Sequence, residues 1–140
     1  MIQTPTRSGR VLVDTSGFAA LANDGDGNHR IARAIWNRLR REGLTPFTTS
    51  IVVVETHALL LSRAGHAVAR RWLRLNPVPE MWVSEEDYIR GKEIVETHRD
   101  KTYSLADATS FVVMDRVGTR LAFSFDNHFD QYGLERLAPR

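Results

Sequence analysis

Four carboxylates in this chain stand where a carboxylate needs a reason. Asp14 follows the apolar run Val11-Leu12-Val13, and Asp126 follows Leu121-Ala122-Phe123-Ser124-Phe125. Each reads as the acid that a buried strand presents at its carboxyl end. Glu55 lies within Ile51-Val52-Val53-Val54-Glu55-Thr56-His57-Ala58-Leu59-Leu60-Leu61, a helix apolar nearly all round, for which burial is expected. Asp107 shares a helical face with Phe111 and Met114. A carboxylate on an apolar arc must be paired, protonated or bound to a cation. Several drawn into one pocket repel one another unless a cation neutralises them.

Each acid also has a structural reading. Asp14 could cap the helix after it. Asp107, three residues past Ser104, fits a capping box. Asp126 could open a turn, and Glu55 could be a surface residue. The four together favour one acidic pocket. Oxygen donors without cysteine suit Mg²⁺ or Mn²⁺. Such an ion polarises a phosphoryl oxygen and activates water, which is the chemistry of phosphodiester hydrolysis. The histidines at 29, 57, 66, 98 and 128 show no zinc-ligand spacing. His57 and His128 are therefore expected at the surface or facing a substrate rather than as ligands. Thr15, Ser16 and Ser124 are hydroxyl donors able to orient the acids. Thr15 and Ser16 could also cap the first helix, leaving Asp14 free for the ion.

The elements that must position these residues follow from periodicity and punctuation. Residues 1–9 read as a flexible tail, and residues 10–140 as one domain. Strands are expected at about 10–14, 46–49, 81–83 and 120–125, with a short last one at 134–137. Helices are expected from Thr15 to Ala22 and from an Asn28 cap to Arg41, with Ile31, Ile35 and Leu39 on one face. Others run from a Ser50 cap to Arg63, from Ala67 to Leu75, from Ser84 to about His98, and from a Ser104 cap to Val117, where Gly118 ends the helix. The loop Asn23-Asp24-Gly25-Asp26-Gly27-Asn28 superficially suggests calcium, but no glutamate follows at the required place, so it reads as a turn. Short apolar strands alternating with longer helices argue an α/β domain with a parallel sheet covered on both faces. Ligands of such folds bind outside the carboxyl ends of the strands.

Composition agrees with a globular domain. Of 140 residues, 42% are hydrophobic and 26% charged, and no apolar run is long enough to span a bilayer. The absence of cysteine excludes disulfides and fits a cytoplasmic protein without proving it. The net charge of +2 permits nucleic acid as a partner. The arginine clusters at 38, 40 and 41 and at 70, 71 and 74 read singly as solvated helix faces.

The order Val-Asp-Thr-Ser-Gly-Phe at 13–18, Val-Glu-Thr at 54–56, Ser-Leu-Ala-Asp-Ala-Thr-Ser at 104–110 and Phe-Ser-Phe-Asp-Asn-His-Phe at 123–129 resembles PIN-domain ribonucleases, most closely VapC-type toxins of toxin–antitoxin pairs. The resemblance runs from residue 10 to the end. It implies a PIN-like α/β/α sandwich with a central parallel sheet of four or five short strands. It places Asp14, Glu55, Asp107 and Asp126 at the family's four acidic positions, as catalytic and metal-binding residues for Mg²⁺ or Mn²⁺. It further implies cleavage of single-stranded RNA, such as tRNA or ribosomal RNA, an antitoxin covering the acidic site, and a homodimer. Asp100 is a possible auxiliary acid. Where the family more usually has threonine two residues before the last acid, this chain has Ser124, which keeps the hydroxyl. Arg70, Arg71 and Arg74 could contact RNA phosphates. Trp36 and Trp72 could serve an interface, although aromatics at helical spacing more often belong to a core.

Other classes fit less well. A haloacid-dehalogenase-like phosphatase needs a second aspartate two residues after the first, and residue 16 is serine. A phospho-receiver domain needs a lysine near its last strand, and no lysine follows Lys101. A non-catalytic RNA-binding PIN module is disfavoured by the presence of all four acids. A PIN nuclease of RNA processing, rather than a toxin, would share them.

Overall fold

The computed structural model describes residues 9–139, so all but the last residue of the expected tail lies outside the described residues. Five strands form one parallel sheet: β1 (Arg10–Val13), β2 (Thr45–Thr49), β3 (Glu80–Met81), β4 (Leu121–Phe123) and β5 (Glu135–Arg136), in the order β3-β2-β1-β4-β5. The helices are α1 (Thr15–Ala22), α2 (His29–Arg41), α3 (Ser50–Arg63), α4 (His66–Leu75), α5 (Glu85–Thr97), α6 (Leu105–Val117) and α7 (His128–Gln131). The α/β reading holds.

β1 is the axis of the molecule. Val11, Leu12 and Val13 are fully buried, and such side chains each contribute about 1.5–3 kcal/mol on burial. Alternation divides them between the two faces of the sheet. Val11 and Val13 join Phe18, Ile35, Leu39 and Phe123 on the side of α1 and α2. Leu12 joins Phe47, Phe111, Met114 and Phe129 on the side of α6 and α7. Register pairs Leu12 with Phe47 on one neighbour and with Ala122 on the other. The chain winds outward from β1 to β3, then returns to add β4 on β1's other flank. The strand order therefore reverses between β1 and β4, where such folds open a crevice.

Several details depart from the pattern-based expectations. β3 is Glu80–Met81 rather than 81–83: Trp82 is 76% exposed, and the Val83 N–H donates to Ser50 Oγ at 2.9 Å. Ser50 is thus diverted from capping. Thr49 caps α3 instead, its hydroxyl accepting from Val52 N at 3.1 Å. Asn28 precedes α2 but makes no side-chain cap. Ile31 is exposed, so Ala32, Ile35 and Leu39 form the inner face of α2. Strand β4 stops at Phe123, earlier than expected, because Ser124 to Asp126 turn toward the site. α3 is not buried all round. Its inner face is Val52, Thr56 and Leu60, whereas Val54 is 71% exposed and Glu55 is also exposed. Hydropathy could not tell the face against the fold from the outward one, since both are apolar.

Gly118 ends α6 as expected, in the left-handed conformation at φ 86°, where a side chain would be strained.

Candidate active site

The carboxyl ends of β1 and β4 meet at a cleft of about 400 Å³ lined by Asp14, Glu55, Asp107 and Asp126, together with His128, Ser104 and Arg63. The four acids singled out from the sequence are thus brought together from β1, α3, α6 and the turn after β4.

Hydroxyls fix the β1 and β4 ends to each other. The backbone N–H of Asp14 donates to Phe123 O at 3.0 Å, continuing the β1–β4 ladder by one bond. Ser124 Oγ donates to Asp14 Oδ2 at 2.9 Å and accepts from Asp126 N at 2.9 Å. Ser16 Oγ lies 3.3 Å from Asp14 Oδ2 and accepts from Phe125 N at 2.9 Å. Thr15 Oγ1 donates to Glu55 Oε1 at 2.6 Å. Asp14 stands at the N-cap position of α1 but forms no side-chain cap. Thr15 and Ser16 do not replace it there, because their hydroxyls are engaged by Glu55 and by the β4 turn.

Asp107 combines two roles that looked like alternatives. Its Oδ2 accepts from Ser104 N at 3.0 Å, and its own N–H donates to Ser104 Oγ at 3.0 Å, which completes a capping box. The same Oδ2 lies 2.8 Å from His128 Nδ1. Asp126 Oδ1 accepts from His128 N at 2.9 Å and lies 3.2 Å from Nδ1.

His128 was expected at the surface or facing a substrate, and it lines the cleft. It is half-buried, its Nδ1 between two carboxylates and its Nε2 3.0 Å from Thr102 Oγ1. One ligand atom each of Asp107, Asp126 and His128 lies within 4.8 Å of the others, a spacing that would let them gather round a cation. Its position two residues after Asp126, on a turn into a short helix, was the available signal.

The electrostatics call for a cation. Asp14 is pushed from 3.8 up to about 6, chiefly by burial, with Asp107 and Glu55 adding repulsion. The hydrogen bonds from Ser124 and from the Thr15 backbone oppose that rise and do not cancel it. A divalent ion beside these groups would offset the repulsion and favour the ionised carboxylates, so the donor set fits one.

The other expected residues lie elsewhere. Arg70, Arg71 and Arg74 are on α4, and none lines the acidic cleft; Arg71 borders a separate apolar hollow of about 350 Å³. Trp36 and Trp72 line that hollow, with Trp72 edge-on to Phe18 at 5.1 Å. Asp100 is exposed and paired with Lys101 at 3.1 Å, outside the cleft. Arg63, Asp26 and Asn28 do line it, and sequence reasoning had not selected them.

Residues 11–134 match the PIN domain family. The chain belongs to the PIN-domain family. Among PIN proteins it is 36% identical over 132 residues to the 23S rRNA-specific endonuclease VapC20 of Mycobacterium tuberculosis, in strain CDC 1551 and in strain H37Rv alike, covering 92% of this chain and 98% of the relative. It also superimposes on the crystal structure of Mycobacterium tuberculosis VapC20, described as a sarcin-ricin loop cleaving toxin, with a TM-score of 0.84 and 33% identity, covering 92% of this chain and 99% of that one. The five-stranded parallel sheet and its flanking helices are therefore a PIN fold, and the expected likeness to VapC-type proteins is met.

Proposed function

We propose that this PIN-domain protein is a metal-dependent endoribonuclease acting as the toxin of a toxin–antitoxin pair. The observation that carries the reading is the convergence of Asp14, Glu55, Asp107 and Asp126 on one cleft, with Asp14 buried and held at a raised pKa among like charges. The near full-length likeness to a 23S rRNA-specific endonuclease supports it.

Asp107 and Asp126, oriented by His128, would hold Mg²⁺ or Mn²⁺ together with Asp14 and Glu55 beside them. When bound, the ion polarises the phosphoryl group and lowers the pKa of water for attack. The chain's own residues do the rest. Ser124 and Ser16 hold the Asp14 carboxylate in one orientation, and Thr15 does the same for Glu55. Glu55, the most exposed of the four acids, is placed to accept a proton from an approaching water. His128 holds Asp107 and Asp126 in register, and its two ring nitrogens fix its own orientation.

Ribosomal RNA is the first substrate class to test, and a synthetic sarcin-ricin-loop hairpin the first probe. In this reading an antitoxin segment covers the acidic cleft, and the toxin works as a homodimer in the cytoplasm; among the described residues no helix is long and apolar enough to cross a membrane. The test is cleavage of the hairpin with Mg²⁺ or Mn²⁺, with and without EDTA, by the chain and by Asp14→Asn and Asp107→Asn. Both variants are expected to lose at least about a hundredfold in rate while staying folded. Cutting at the parental rate by either would show that the site is misassigned.

A further inference from the structure

Arg63 is the one arginine among the residues lining the acidic cleft. One wall of that cleft is α3, where Glu55, Leu59 and Arg63 follow at four-residue steps along one side of the helix. Ala106, next to Asp107, meets the amino end of α3 beside Ile51 and Val54. Asp107 of α6 therefore stands toward one end of this wall and Arg63 toward the other. Eight residues of helix separate Glu55 from Arg63, a rise of about 12 Å. Arg63 is exposed, and long helical side chains lean toward the amino end, so its guanidinium can reach back along the cleft toward Glu55.

The Arg63 side chain forms no ion pair or hydrogen bond among the described residues, although Asp26 and Glu55 line the same cleft. A charge left unpaired beside five carboxylates is in place for an anion that arrives from outside. An RNA strand laid across the acids brings such anions in series. The scissile phosphate would be matched by the metal, but the next phosphate would face the acidic cleft with no counter-charge except Arg63. A guanidinium binds phosphate through two parallel hydrogen bonds, which fixes position as well as adding affinity.

We propose that Arg63 holds the phosphate flanking the scissile one, and so sets the direction in which the RNA strand lies in the cleft. The inference rests on the nuclease reading above. It assigns phosphate contact to α3 rather than to Arg70, Arg71 and Arg74 of α4. Arg63 is a positioning residue here, so its loss should weaken substrate binding and spare the chemical step.

The test uses the full chain, Mn²⁺ and the sarcin-ricin-loop hairpin, over a range of salt concentrations. Arg63→Ala is expected to raise KM about tenfold with kcat within about twofold, as loss of one charge-assisted contact implies. The dependence of log affinity on log salt should flatten by about 0.7, the value for one phosphate of a single strand. Arg63→Lys should restore the salt slope and part of the affinity. Neutral methylphosphonates placed at one position at a time should then weaken binding at one phosphate beside the cut in the parent, and not at that phosphate in Arg63→Ala. An unchanged KM and salt slope in Arg63→Ala would overturn the proposal while leaving the nuclease reading intact. So would a loss confined to kcat, or coupling of Arg63 to the scissile phosphate itself. If the parent chain neither binds nor cuts the hairpin or any member of a panel of ribosomal and transfer RNA fragments, both readings fall together.

Discussion

At the scale of single residues, Asp14 shows what the site costs the fold. Burial, with repulsion from Asp107 and Glu55, raises it from 3.8 to about 6. Between those values the folded chain holds a proton that the unfolded chain has released. Stability of the metal-free protein therefore falls as pH rises through this window and stays lower above it. The rise from 3.8 to about 6 corresponds to roughly 3 kcal/mol. Asp14→Asn cannot ionise, so in EDTA at pH 8 it should melt several degrees above the parent, with the difference gone below pH 4. Calorimetry at pH 3.5, 5 and 8 measures this, and a variant no more stable than the parent at pH 8 contradicts it. His128 makes a separate prediction. Its ring touches both Asp107 and Asp126, so His128→Ala should weaken divalent-ion binding about tenfold or more, as read by titration calorimetry.

Between elements, the site depends on how closely α1 and β4 approach. Gly17 makes that approach possible: a Cβ there would lie 2.7 Å from Phe123 O, the atom that accepts from Asp14 N. Gly17→Ala gains helix propensity of about 1 kcal/mol. Overpacking against a backbone oxygen costs about 1–3 kcal/mol, and the clash here is with an atom that cannot rotate away. We expect a net loss of stability in urea titration, together with reduced cleavage, because moving α1 off β4 displaces Asp14 and Ser16. A second contact between elements lies far from the cleft. Asp87 completes the capping box of α5 and is paired with Arg116 of α6 at 2.6 Å. Burial alone would raise the Asp87 pKa, but its hydrogen bonds to Arg116 and Ser84 outweigh this and hold it below the usual range. Removing one partner of a buried pair costs about 3–5 kcal/mol. Arg116 is partly exposed, so Arg116→Leu should cost less than that while leaving metal binding at the cleft unchanged.

For the whole molecule, sheet order decides where chemistry can occur. With β1 central, and β2 and β4 on its two flanks, the loops after β1 and β4 open on the same side of the reversal. α3 and α6 pack so that Glu55 and Asp107 face the same opening. A cation bound there stabilises the folded chain by mass action, by about 2.7 kcal/mol at a hundred times its dissociation constant. Mn²⁺ should therefore raise the melting temperature in a concentration-dependent way, and EDTA should reverse it. Asp107→Asn should lose most of that response, which ties the ion to this acid.

Much of this was legible in the residues themselves. Continuous apolar runs ending in Asp14 and Asp126 identify strands covered on both faces, because only such strands dispense with alternation. Ser104 and Asp107 mark the start of α6 through local hydrogen bonding, which needs no tertiary partner. Those signals point to the α/β class and to three of the four acids, whereas Glu55 was singled out from a helix expected to be buried on which it proves exposed. Other features were set by contacts between segments far apart in sequence. α3 is apolar on two faces, and only packing determined that Val54 and Glu55 would face outward. Thr49 displaced Ser50 as a cap because Val83 claimed the Ser50 hydroxyl. His128 turned inward because Asp107, 21 residues away in the chain, stands opposite its ring. Arg63, although exposed, borders the cleft because α3 forms one of its walls. One-dimensional pattern records which side chains a segment carries; the partner that each side chain meets depends on where other segments pack.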